Sequence, residues 1–181
     1  MVRNSNDRYS IVECDLEHPY RYSLTVETQC KGEKILVVIQ CNPSVAKFNM
    51  SDGTVGKVST WAEEYGFGRV IFLNLFAYIS PRISDLVDKP YDYLVGPRNN
   101  EVLASNIGNG AIVVLAWGGD LPLCDDLYKH RLGEIKNLLY VAGVQPYHVG
   151  SLVRGRFPRH GRSWNKGNRE LSVCHWDSIL R

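Results

Sequence analysis

Three apolar runs constrain this chain most: Ile35-Leu36-Val37-Val38-Ile39, Val70 to Tyr78 (VIFLNLFAY) and Ala111 to Trp117 (AIVVLAW). Each is short, rich in β-branched or aromatic residues and closed by polar residues or glycine, so each reads as a strand buried on both faces. The first run stops at Gln40-Cys41-Asn42-Pro43-Ser44. A polar loop with a proline at that place lifts off the edge of a sheet, and in an open α/β sheet that edge is where ligands bind. Taken alone, such a loop is equally an ordinary strand exit.

Helical patterns separate the runs. Val55, Val58, Trp61, Ala62 and Tyr65 recur at near-helical spacing and stop at Gly66-Phe67-Gly68, where glycine accepts the left-handed cap. Residues 98–107 and 125–139 read as further helices, 80–86 as a short helix or turn, and 90–97 as a proline- and tyrosine-bearing loop. Tyr20 to Gln29 partly alternates and predicts a half-buried antiparallel edge strand, with residues 1–19 as an arm or edge element. A last short strand is predicted over 146–152. Strands alternating with helices predict an α/β fold. The expectation is a single-domain three-layer α/β/α sandwich over residues 1–181, with a mainly parallel central sheet.

A length of 181 residues suits one domain with a real core, and 44% hydrophobic with 22% charged residues is ordinary for a globular protein. No apolar stretch approaches the ~20 residues that span a bilayer, and the first residues lack the apolar centre of a signal peptide. The expected setting is cytoplasmic, with no membrane partner. Five cysteines without a Cys-x-x-Cys pair argue against a disulfide framework and a metal or iron–sulfur site, so neither metal nor cofactor is expected. No Gly-x-x-x-x-Gly-Lys loop supports a nucleotide-hydrolysing enzyme.

A net charge of +2 does not identify a nucleic-acid partner, but its distribution is informative. Residues 154–169 (RGRFPRHGRSWNKGNR) hold Arg154, Arg156, Arg159, Arg162, Lys166 and Arg169 with no acid. Guanidinium groups grip phosphates, glycine lets backbone amides approach, and an aromatic such as Trp164 can stack or wedge. The bland alternative is a solvated basic loop with Trp164 packed inward.

Four segments stand in order: Cys41-Asn42-Pro43-Ser44, Phe72-Leu73-Asn74, Leu115-Ala116-Trp117-Gly118 and Arg159-His160-Gly161-Arg162-Ser163-Trp164. This set resembles the uracil-DNA glycosylase superfamily. Its members carry a Gly-Gln-Asp-Pro-Tyr or Gly-Ile-Asn-Pro-Gly loop, a Leu-Leu-Leu-Asn strand, a Leu-Trp-Gly strand end and a His-Pro-Ser loop. The Asn-Pro-Ser loop, Ser51-Asp52-Gly53-Thr54 and Val95-Gly96-Pro97-Arg98-Asn99 also resemble a small bacterial and phage branch.

The resemblance implies base flipping and hydrolysis of the N-glycosidic bond. It places Asn42 where a loop Asp or Asn positions water, and Asn74 where an asparagine reads the pyrimidine edge. His160 stands where a histidine hydrogen-bonds the developing anion on the base. Trp164 or Arg162 would be the wedge, with Arg154, Arg156, Arg159 and Lys166 on the phosphates. Cys41 and Ser44 would line the pocket, and Phe48 or Tyr78 could stack on the flipped base. Asp52, the carboxylate close behind the loop, either orients the water or caps a helix. Asn74 is otherwise an asparagine satisfied within the sheet, and His160 a phosphate contact or a surface histidine.

Two departures from the family pattern carry information. Ser44 replaces the tyrosine whose ring excludes C5-substituted pyrimidines, which implies a bulky or polar C5 group such as hydroxymethylated or glucosylated cytosine of phage DNA. Gly161 replaces the proline of His-Pro-Ser and predicts a more flexible loop. The expected function is a monofunctional DNA glycosylase for modified pyrimidines in double-stranded DNA, acting as a monomer in phage defence. The alternatives are uracil or mismatch repair, and a non-catalytic reader of modified DNA.

Overall fold

The apolar runs become the middle of one seven-stranded sheet because residues 36–39 of the first are buried on both faces. A computed structural model of the chain describes residues 9–44, 53–108, 110–119 and 125–179. Within them lie strands β1 (Tyr9–Glu17), β2 (Tyr20–Thr28), β3 (Lys34–Gln40), β4 (Phe67–Asn74), β5 (Ile112–Leu115), β6 (Tyr147–Val149) and β7 (Leu171–Val173). The helices are α1 (Gly53–Glu64), α2 (Tyr91–Val95), α3 (Asn99–Ile107), α4 (Asp125–Val141) and α5 (Trp176–Ile179).

The strand order is β1-β2-β4-β3-β5-β6-β7. The inner pairs β4–β3, β3–β5 and β5–β6 are parallel, whereas β1–β2, β2–β4 and β6–β7 are antiparallel. The sheet is therefore mixed, which corrects the expectation of a mainly parallel one. Between β1 and β2 lie only His18 and Pro19, and so short a link can join antiparallel strands only. β2 is also not an edge strand. The edge belongs to β1, whose mixed polarity reflects a strand with little buried surface.

Each face of the sheet carries a helical layer. Val37, Ile39, Leu73, Val113 and Leu115 pack with Leu103 and Ile107 of α3 and Leu132, Ile135 and Leu139 of α4. Leu36, Val38, Val70, Phe72 and Val114 pack with Val55, Val58, Trp61 and Ala62 of α1. Each large apolar side chain fully buried this way contributes ~1.5–3 kcal/mol. The chain leaves β3 through α1 to β4 on one side, then passes from β4 through α2 and α3 to β5 on the other. Right-handed crossovers in opposite directions put their helices on opposite faces. The connections thus diverge at the carboxyl end of β3, where Asn42 lies, and a crevice forms at such a switch point.

Two local readings change. Residues 90–97 contain a helix, α2, with Pro90 just before its first turn, where a missing N–H costs nothing. The second apolar run stops being strand at Asn74, yet Leu75, Phe76 and Ala77 stay fully buried. Asn99 Nδ2 donates to the carbonyls of Asn74 (3.2 Å) and Leu75 (3.0 Å), Arg131 Nε donates to Leu75 O (2.6 Å), and the Arg21 N–H of β2 donates to Ala77 O (3.0 Å). No helix among the described residues is long and apolar enough to cross a membrane.

Candidate functional site

The loop after β3 is tied to the exit of β4. Leu75 N–H donates to Gln40 O (2.8 Å), Phe76 N–H to Cys41 O (2.9 Å) and Ser80 N–H to Pro43 O (3.0 Å). Asn42 is half-buried, and its Nδ2 donates to Ser80 O (3.0 Å) and Pro43 O (3.2 Å). The amide nitrogen is thus committed to the backbone, and Oδ1 is the atom left to accept from a water. Ser44 is half-buried beside it. Phe48 and Asp52 lie outside the described residues.

On the α1 face of the sheet, Gln40 of β3 stands in register with Asn74 of β4. The pairs Leu36–Val70 and Val38–Phe72 precede them on the same face, so alternation puts both amides there. Asn74 is 1% exposed and Gln40 7%. Asn74 Oδ1 and Gln40 Nε2 are buried without a hydrogen-bond partner. A native interior rarely leaves such atoms unpaired, because each costs ~1–3 kcal/mol.

His160 and Gly161 approach this same face from the basic loop. A Cβ on Gly161 would lie 2.6 Å from Val58 Cγ2, 3.2 Å from Thr54 Cγ2 and 3.5 Å from Gln40 Nε2. Gly161 therefore serves close approach of the turn to α1 and Gln40. His160 caps the short 3-10 turn Gly161–Ser163: its Nδ1 accepts the Arg162 N–H (3.1 Å), so the neutral ring carries its proton on Nε2. Gly118, at the end of β5, has φ 94°, and a Cβ there would stand 3.3 Å from His160 Cβ. The third and fourth sequence segments thus touch.

The basic loop divides into braces and exposed cations. Arg159 turns inward, with Nη1 donating to Asn168 O (2.6 Å) and Nη2 to Lys166 O (2.7 Å) and Ser163 O. Arg169 pairs with Glu64 (2.5 Å) and donates from Nε to Trp164 O (3.0 Å). Trp164 is fully buried, its Nε1 bonded to Arg159 O (3.2 Å), which removes it as an exposed wedge. Arg154, Arg162 and Lys166 are exposed, and Arg156 is half-buried with its guanidinium 4.5 Å from the Phe157 ring centroid. Of the two wedge candidates, Arg162 is the one at the surface.

Two other expected pocket residues stand apart. Cys41 lies on the opposite, α3–α4 face, where burial pushes its thiol up to about 12. That placement corrects its assignment to a pocket shared with Asn74. Tyr78 joins a tyrosine cluster, its ring 5.2 Å from that of Tyr93 with Lys89 Nζ 4.8 Å above it.

Gln40, Asn99 and Arg131 are the polar residues that sequence reasoning did not single out. Arg131 is fully buried on α4 and bonds Asn100 Oδ1 (2.6 Å) and Glu134 (2.5 Å), besides Leu75 O. Burial works to raise the Glu134 carboxyl. Hydrogen bonds from Tyr91 and Arg131, with the Arg131 charge, outweigh it and hold the group below the ordinary carboxylate value. An arginine amid the apolar helical pattern of 125–139 was the one available signal. No group of three or more His, Cys, Asp or Glu among the described residues is placed to hold a metal. A groove of about 220 Å³, lined by Gly56, Lys57, Thr60, Glu64, Asn165 and Arg169, shares no residue with the Gln40–Asn74 pair.

Residues 21–160 match a family model described as a protein of unknown function, DUF1643, and the chain belongs to that family. No curated protein and no solved structure matches the chain.

Proposed function

We propose that this DUF1643 protein is a DNA glycosylase of the uracil-DNA glycosylase type that flips out a C5-substituted pyrimidine and hydrolyses its N-glycosidic bond. The observation that carries the reading is the convergence of Asn42, Asn74 and the His160–Gly161 turn at the carboxyl edge of the sheet, where the connections diverge. Cleavage builds positive charge on the sugar and negative charge on the departing base, so fixed dipoles supply most of the rate. His160 Nε2–H donates to the base as it becomes anionic. Asn42 Oδ1 orients the water that attacks the sugar carbon. Exposed Arg154, Arg162 and Lys166 hold the phosphates, and Arg162 fills the gap left by the flipped base. Ser44, small and half-buried, leaves room beside C5. Production of abasic sites in modified phage DNA gives the enzyme a role in defence.

A second reading, a non-catalytic reader of modified DNA, is favoured by one observation. The water-orienting position holds an amide already donating to two carbonyls, and an amide cannot take a proton from water. Duplexes carrying uracil, 5-hydroxymethylcytosine or its glucosylated form, incubated with protein and then hot alkali, separate the readings. Strand breaks at the modified cytosines support the glycosylase. Efficient breakage at uracil alone overturns the substrate assignment, and binding without breakage supports the reader.

A further inference from the structure

We propose that Gln40 reads the flipped base together with Asn74, as a two-point donor–acceptor pair for the N3–C4 edge of a pyrimidine; this rests on the base-binding reading above. The two side chains leave adjacent parallel strands at the same level and on the same face. One presents an orphaned donor, Gln40 Nε2, and the other an orphaned acceptor, Asn74 Oδ1. Other buried polar atoms lack partners, Ser59 Oγ and Arg131 Nη2 among them, but those two lie on helices away from each other. Gln40 and Asn74 are held side by side by the β-ladder at the ligand-binding edge.

The chemistry of the pair selects its ligand. A donor beside an acceptor complements an acceptor beside a donor. A pyrimidine offers that along N3–C4: O4 with N3–H in uracil-type bases, N3 with the N4 amino group in cytosine-type bases. Both amides can rotate to exchange roles, so the pair accepts either class while still requiring a planar, alternating edge. C5 lies outside this contact, which fits a pocket that tolerates substituents there. Because Gly161 covers Gln40, the 159–163 turn must lift for a base to enter.

An unpaired buried amide predicts a trade-off that a structural glutamine would not. Replacing such an amide by an apolar group of similar shape leaves stability unchanged or raises it. Gln40→Met is therefore expected to melt at or above the wild-type temperature while losing at least tenfold in binding to duplexes carrying 5-hydroxymethylcytosine or uracil. Gln40→Glu, which replaces donors by acceptors, is the second variant. It is expected to lose binding to the same duplexes and to shift preference between the two bases. Free 3-methyluracil, whose N3–H is blocked, should fail to raise the melting temperature of wild type where free uracil raises it.

A Gln40→Met protein that melts lower and keeps wild-type base preference overturns the assignment while leaving the glycosylase reading intact. A wild type that discriminates among bases without cutting, with Gln40→Met losing that discrimination, supports the assignment and overturns only catalysis. A wild type that binds none of these bases, free or in duplex, overturns both.

Discussion

Trp164 packs edge-on against Trp61, with ring centroids 5.0 Å apart and planes inclined at 67°. The contact joins the basic loop to α1, and both rings are fully buried. Trp61 Nε1 also donates to Arg169 O (2.9 Å), so the loop is held at two points on one indole. Trp164→Ala should cost ~3–5 kcal/mol of stability, the usual loss for a large aromatic in a core. Urea unfolding followed by circular dichroism measures it, and a loss below ~1 kcal/mol would restore Trp164 as a free wedge.

The arginines of the loop should separate into two classes. Arg159→Ala removes three bonds to backbone carbonyls and should lower stability by ~1–3 kcal/mol, since those acceptors lose a charged donor. Arg162→Ala, at an exposed side chain, should leave the melting curve within ~0.5 kcal/mol of wild type. Its effect should appear in DNA binding, with the slope against log salt reduced by about one.

Gly161→Ala places a methyl group 2.6 Å from Val58 Cγ2. The overlap should cost ~1–3 kcal/mol unless the turn retreats from α1. A combined Gly161→Ala, Val58→Ala protein should recover part of that loss, and strict additivity of the two effects in thermal melts would disprove the contact.

Asn42→Asp restores a carboxylate to the water-positioning place but sets it against the carbonyls of Ser80 and Pro43. Two hydrogen bonds become repulsions, so glycosylase activity should fall below wild type despite the new base. Initial rates on a 5-hydroxymethylcytosine duplex decide this, and a gain in rate would mean that the amide's bonds do not orient the loop.

His148 links stability to pH. Burial lowers its pKa, against the raising effect of its Nδ1 contact with Gly150 O (2.7 Å), and the His175 charge lowers it further. A depressed imidazole favours the neutral form in the native state, and the unfolded chain binds the proton more tightly. Its contribution is therefore present above the ordinary value of 6.5 and is lost as pH falls below it. The unfolding free energy of His148→Gln should fall less steeply than that of wild type from pH 7 to pH 5; parallel curves would exclude the linkage.

The burial pattern of the chain was written into its sequence. Leu36, Val37 and Val38 have no polar neighbour to turn toward solvent, so that run had to lie inside a sheet covered on both faces. The spacing of Val55, Val58, Trp61 and Ala62 likewise fixed which side of α1 faces inward. Asn42 at the strand exit and the cations of 154–169 could also be read directly, because strand ends and charge runs are local properties.

Tertiary structure decided which neighbours those local features meet. The apolar pattern of a strand is the same for a parallel or an antiparallel partner, so the mixed sheet followed from the two-residue link before β2 and the return to β7. Arg159 and Arg162 are chemically identical in the sequence; the fold turns one toward the carbonyls of 163, 166 and 168 and leaves the other at the surface. Gln40 and Asn74 are 34 positions apart in the chain, and only the β3–β4 register sets their unpaired amides side by side. Long-range pairing of this kind depends on where the strands dock, which no residue encodes alone.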